Sequence, residues 1–169
     1  SKKVVVLAEA REGALRNVSF EAIAAGKTIS GGGEVVAALF GQSVGDLAGE
    51  LFAYGADRVI TVEHPHLQHY TSDGFGQALN AVIDQEGPEA IVFGHTALGK
   101  DLSPKVAAKL EAGLISDVTK IEGEGDSAQF IRPIYSGKAF EKVESQSSPL
   151  LVSVRPNNIE PLEKDASKS

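Results

Sequence analysis

Four short runs of β-prone, largely apolar residues, each followed in turn by a segment of helical period, restrict this chain to few architectures. The first run, residues 4–8, is apolar at every position, as expected of a strand buried on both faces of a parallel sheet. Val18, Ala22, Ala25 and Ile29 then recur at helical spacing, with Asn17 as the expected N-cap and Gly31, Gly32 and Gly33 as the stop. Residues 34–40 form the next strand. A helix over 44–54 closes at Gly55, and residues 58–62 form a third strand. After a polar loop over 63–70, residues 71–86 return to helical period through Phe75, Leu79, Val82 and Ile83, and Gly87-Pro88 ends them. Residues 90–93 are a fourth buried strand. Leu102, Val106 and Leu110 mark a helix, with Ser103 as cap and Pro104 in its first turn. This β-α order implies an α/β fold: a doubly wound, mainly parallel sheet joined by right-handed crossovers.

The pattern changes after Gly113. Residues 115–121, 129–135, 138–145 and 150–154 are extended and have no helices between them. Turn signals separate them at 123–126, at Ser136-Gly137 and at 147–149. The first is expected to be the last parallel strand and the other three an antiparallel C-terminal extension. Residues 1–156 are then one domain. Residues 157–169, rich in Glu, Lys, Ser and Pro, are a linker or tail.

Composition narrows the function classes. The net charge is −7 and no basic stripe offsets it, so nucleic acid is not an expected partner. Cysteine is absent, which removes disulfides, thiolate metal sites and thiol catalysis and fits a reducing compartment. No apolar run approaches the roughly 18 residues of a membrane span, so no membrane partner is expected. The apolar start is too short for a signal-peptide core. A cytoplasmic location in a bacterium, or the mitochondrial matrix in a eukaryote, is expected.

The loudest motif is GHTALGKD, from Gly94 through Gly99 and Lys100 to Asp101. It is one residue short of a phosphate-binding P-loop, whose last position is a magnesium-ligating Ser or Thr. Asp101 would place a carboxylate where phosphate charge belongs, so nucleotide hydrolysis is not expected and a structural turn is. A strand, a glycine and a helix N-terminus still make an anion-tolerant place at the carboxyl end of a sheet. His64, His66 and His69 share a polar loop with Glu63 but no regular element converges them, so a surface loop is favoured over a zinc site. His95 lies just past a buried strand, either as a proton-transfer group or as a hydrogen-bonded loop histidine. Ser43, Ser103 and Ser116 fall near element boundaries, where capping explains them. No Gly-x-Gly-x-x-Gly fingerprint occurs.

Three segments resemble the amino-terminal domain of the electron-transfer flavoprotein alpha family. Residues 94–110, GHTALGKDLSPKVAAKL, with Ser116-Asp117-Val118 after them, are similar to that family's Gly-Lys-Asp-Leu-x-Pro-(Arg/Lys)-x-Ala followed by Ser-Asp-(Val/Ile). Arg132-Pro-Ile-Tyr135-Ser-Gly137-Lys138-Ala resembles its Arg-x-x-Tyr-x-Gly-(Lys/Asn)-Ala, and Ser153-Val-Arg155-Pro156 its domain exit. The resemblance implies an adenine nucleotide alpha hydrolase-like fold and a heterodimer with a beta subunit. It also implies electron flow from flavin dehydrogenases, such as acyl-CoA dehydrogenases, to a respiratory acceptor. It places FAD in a carboxy-terminal domain beyond Ser169, so no cofactor-binding, catalytic or metal residue is expected here. Gly94, Gly99, Lys100, Asp101, Ser116 and Asp117 are expected to form a structural loop. Arg132, Tyr135 and Lys138 are the candidate subunit interface, against the alternative that Tyr135 fills a core edge and Arg132 pairs locally. Two other readings stay open: a nucleotide-binding module with an adenine pocket near residues 5–8, and a small hydrolase.

Overall fold

A computed structural model describes residues 1–135, 137–145 and 147–168. Ser136, half of the expected hairpin turn, and Ser169, the last tail residue, lie outside the described residues.

Along the chain run β1 (Val4–Leu7), the short strands β2 (Ala10–Arg11) and β3 (Ala14–Leu15), α1 (Asn17–Ser30) and β4 (Val35–Gly41). Then come α2 (Ala48–Ala53), β5 (Arg58–Glu63), α3 (Ser72–Glu86), β6 (Ala90–Gly94) and α4 (Ala97–Leu110). The chain continues through β7 (Gly113–Val118), β8 (Lys120–Glu122), β9 (Gln129–Ile134), β10 (Ala139–Val143) and β11 (Leu150–Val154). Six parallel strands form the central sheet in the order β5-β4-β1-β6-β11-β7. Alternate side chains of β1 show why the sheet is wound on both faces. Val4 and Val6 join a core closed by Val18, Ile23 and Ile29 of α1 and Leu51 of α2. Val5 and Leu7 join a second core with Phe75, Leu79 and Val82 of α3 and Leu102 and Val106 of α4. Leu39, Leu51 and Leu79 are fully buried, each contributing about 2 kcal/mol.

The antiparallel extension exists as a three-stranded lobe, β10-β9-β8, but its composition differs from expectation. β11 is not part of it. Leu150–Val154 returns to the central sheet and inserts between β6 and β7, buried at all five positions. Its continuous apolar run is the signature of a strand covered on both faces. The expected single strand over 115–121 is two, β7 in the central sheet and β8 in the lobe.

Two helix starts also move. Arg16, not Asn17, is the N-cap of α1, and the Asn17 amide donates to Glu21 at 2.9 Å inside the first turn. Helix α4 begins at Ala97, so Pro104 lies inside it and not in its first turn. The Thr96 hydroxyl caps it by accepting the Gly99 N–H at 3.1 Å. Pro104 offers no N–H to the carbonyl four residues back, and the neighbouring Ser103 hydroxyl donates to the Gly99 carbonyl at 2.6 Å. A small hairpin, β2–β3, follows β1, with Glu12 and Gly13 both at positive φ as a two-residue reverse turn demands. Residues 157–168 hold no helix or strand. They lie along α1 and α2, where the Asp165 N–H donates to the Ala53 carbonyl at 2.8 Å.

Candidate functional site

Gly94, Gly99, Lys100 and Asp101 do not form a loop. Gly94 ends β6, and the other three occupy the first turn and a half of α4. Gly99 is needed for close packing. A Cβ there would overlap the Gly94 carbonyl oxygen, so only glycine lets α4 approach the end of β6 this closely. The start of α4 faces the chain's own carboxylate. Glu9 is buried and accepts the Thr96 hydroxyl at 2.7 Å and the Arg16 guanidinium at 3.1 Å. Burial pushes the Glu9 carboxyl above its ordinary value, and Thr96 and Arg16 partly oppose this. Asp101 is exposed on α4, where it accepts the Tyr70 hydroxyl at 2.6 Å and pairs with Lys105 at 3.2 Å. Those partners hold its carboxyl below the usual aspartate value. Lys100 is exposed.

Ser116 and Asp117 lie on β7, and they bring the family-like segments together. The Ser116 carbonyl accepts the Arg132 Nε–H at 2.9 Å. Asp117 has φ +63 and sits where the β7–β11 register shifts. Its carboxylate takes Arg155 in a two-pronged clasp at 2.8 and 2.7 Å, and its N–H donates to the Ser153 hydroxyl at 3.0 Å. The same hydroxyl lies 3.0 Å from His95 Nδ1. Residues 94–95, 116–117, 132 and 153–155 therefore meet at the carboxyl ends of β6, β11 and β7. The partners of His95 were not legible in the sequence: its place past a buried strand marked it, whereas Ser153 and Arg155 carried only the signal of a motif-like segment.

Register divides the lobe into two faces. Phe130 pairs with Ile121 and Val143 and packs on the core, while Ile131, between Lys120 and Lys142, and Phe140 lie on the other face, where Phe140 is exposed over a buried Pro133. Arg132 is half-buried, tied to Ser116 and, at 2.9 Å, to Glu141. Tyr135 stands 77% exposed at the hairpin tip with φ +52 and does not fill a core edge. Lys138 is exposed beside it and donates its N–H to the Tyr135 carbonyl at 3.2 Å. Phe140, 64% exposed, extends the same surface; it was not legible as exposed because β10 reads as alternating only once its partner is known. The structure thus gathers Tyr135 and Lys138 and turns the Arg132 guanidinium toward β7.

A cleft of about 610 Å³ opens at the carboxyl ends of β1 and β4, lined by Glu9, Arg11, Phe40, Leu47, Tyr70 and Leu98 among others. Elsewhere His64 Nδ1 accepts the His66 N–H at 3.0 Å. Among the described residues, no three His, Asp or Glu side chains gather as a metal site requires, and no helix is long and apolar enough to cross a membrane.

A doubly wound parallel sheet with an antiparallel lobe is the class of domain this geometry defines. The electron transfer flavoprotein domain matches residues 4–169. The electron transfer flavoprotein subunit alpha of Bacillus subtilis is 56% identical over 168 residues, 99% of this chain and 52% of that protein. The subunit of the same name from Syntrophomonas wolfei is 38% identical over 151 residues, 89% of this chain and 47% of that protein. The acryloyl-CoA reductase electron transfer subunit beta of Anaerotignum propionicum is 41% identical over 123 residues, covering 72% of this chain and 34% of the relative. The chain belongs to the electron transfer flavoprotein family and matches the amino-terminal part of its alpha subunits. It spans about half the length of the first two relatives.

Proposed function

We propose that this chain is the scaffold and subunit-docking domain of an electron-transfer flavoprotein. The assembly passes electrons from flavin dehydrogenases, acyl-CoA dehydrogenases among them, to a respiratory acceptor in a bacterial cytoplasm. Residues 1–156 supply shape and a docking surface for the beta subunit, and residues 157–169 lead toward the part that holds FAD. The observation that carries the reading is the outward face of the lobe. Tyr135 and Phe140 are exposed there, whereas Phe93, Phe130 and Phe40 are buried. Exposed aromatic side chains on a braced element are the usual anchors of protein interfaces. Arg132 braces the lobe by joining β9 to Ser116 of β7 and Glu141 of β10.

Replacing Arg132 and Tyr135 together by alanine is expected to weaken binding of the beta subunit by roughly ten- to a hundredfold, the size of one interface hot spot. Calorimetric titration of the folded double variant measures this, and an unchanged dissociation constant would remove the docking surface from the account.

A nucleotide-binding module of the same architecture is the second reading, and the cleft at the carboxyl ends of β1 and β4 favours it. Against it stand Glu9 at the cleft floor and Asp101 at the P-loop's magnesium position. ATP or AMP titrated into the chain is expected to give no saturable heat at micromolar concentration; tight binding of either would make this the better reading.

A further inference from the structure

The cluster at the carboxyl ends of β6, β11 and β7 has a proton inventory of its own. Ser153 is fully buried, and its hydroxyl oxygen already accepts the Asp117 N–H at 3.0 Å. A hydroxyl has one proton to give. Among the described residues, the acceptor available to it is His95 Nδ1, also at 3.0 Å. Neutral His95 therefore carries its own proton on Nε2, which faces Asp117 Oδ1 at 3.8 Å. That oxygen is also the one that accepts the Arg155 Nε–H at 2.8 Å.

Protonating His95 conflicts with this arrangement at Nδ1. A proton on Nδ1 reverses that bond, and the buried Ser153 hydroxyl proton is left without an acceptor among the described residues. At Nε2 the proton is already in place, and the added positive charge shares Asp117 Oδ1 with the Arg155 guanidinium. The charged groups that face the ring add to the conflict: Asp117 from β7 favours the imidazolium, while Lys100 from α4, Arg132 from β9 and Arg155 disfavour it. Burial is the largest influence, and together these hold the ring's pKa below the ordinary histidine value.

Arg155 is the first residue after β11 and the root of the segment that follows. Beyond it, the Asn157 N–H donates to the buried Glu21 carboxylate at 2.6 Å, Ile159 packs on the α1-side core, and Lys164 reaches Glu50 at 3.9 Å. We propose that His95, Ser153 and Asp117 form a proton-sensitive latch on Arg155, so that acid loosens the anchor from which residues 156–168 run back across the domain. The latch makes no demand on the lobe surface or on a partner.

Hydrogen exchange across residues 155–165 tests it on the chain as it stands, with protection factors compared between mildly alkaline solution and pH about 5, which spans ordinary histidine titration. Protection is expected to fall about tenfold on acidification. His95→Asn keeps an acceptor near the Nδ1 position and does not titrate, so its protection should not change with pH. The same acid loosening in His95→Asn as in the parent would overturn the latch. A second readout needs no variant. The NMR titration of the His95 ring and the exchange of the Arg155 Nε–H should share one midpoint. An Arg155 Nε–H that stays protected through the His95 midpoint would equally overturn it.

Discussion

Gly99→Ala is expected to destabilise the domain by about 3 kcal/mol, the upper end of what overpacking usually costs. The added methyl would overlap the Gly94 carbonyl oxygen, a backbone atom, and no rotamer change can move it. Gly94 is paired with Val154 in the centre of the sheet, so α4 would have to lift away. That would separate Leu102 and Val106 from the core they share with Ile91 and Phe93. For a chain of this size the melting temperature should fall by about 6–12 °C. Gly49→Ala is the control. Gly49 lies in α2, where an added methyl would meet nothing within 4 Å, and alanine there should be neutral or stabilising by up to about 1 kcal/mol. Thermal unfolding that failed to separate the two variants would contradict this account of the glycine-rich motif.

The second large effect is expected at Glu86, at the opposite end of the sheet. Its side chain is 3% exposed and accepts both prongs of Arg58 at 2.9 Å and Lys3 at 2.8 Å. One carboxylate thus ties the last turn of α3 to the starts of β1 and β5. Arg58 first, then Lys3, holds its pKa down at about 2. The folded pKa lies below the unfolded one, so the stabilisation is fully present above the ordinary glutamate value. It is lost as pH falls from that value toward about 2. Because the side chains of Arg58 and Lys3 are themselves 43% and 32% exposed, the loss in Glu86→Gln at neutral pH is discounted to about 2 kcal/mol. Denaturant titrations should show that difference shrinking toward zero in strong acid. A difference independent of pH would mean that packing, not the ion pairs, makes Glu86 important.

How far the fold was legible depended on what each signal measures. β1, β4 and β6 were readable because a strand covered on both faces must be apolar throughout. Leu150–Val154 carries the same signal, yet its position between β6 and β7 is a matter of crossover topology, and nothing local encodes that. The start of α4 was misplaced because Ser103-Pro104 imitates a helix beginning. The real determinants, Thr96 as cap and Gly99 against Gly94, depend on a tertiary approach. Helix α3 was legible to within a residue because Thr71 caps it locally and Gly87 ends it in the left-handed region.

The site divides in the same way. Arg132, Tyr135 and Lys138 could be singled out by resemblance, but exposure is decided by packing. The sequence could not tell that Tyr135 would face solvent while Arg132 turned to Ser116. The contacts joining His95 to Ser153 and Asp117 to Arg155 span 58 and 38 residues and depend on a left-handed Asp117 in an irregular strand pairing. Buried Glu9 and Glu21 were likewise hidden. Each looks like an ordinary surface carboxylate until the groups that donate to it, Thr96 and the Asn157 N–H, are brought from far along the chain.

The proposed division of labour is tested most directly by titrating the purified chain with the beta subunit and, separately, with FAD, while following heat and visible absorbance. The expected result is saturable binding of the beta subunit and no flavin spectrum retained by the chain alone. A chain that takes up FAD stoichiometrically by itself, or fails to bind the beta subunit, would contradict the account.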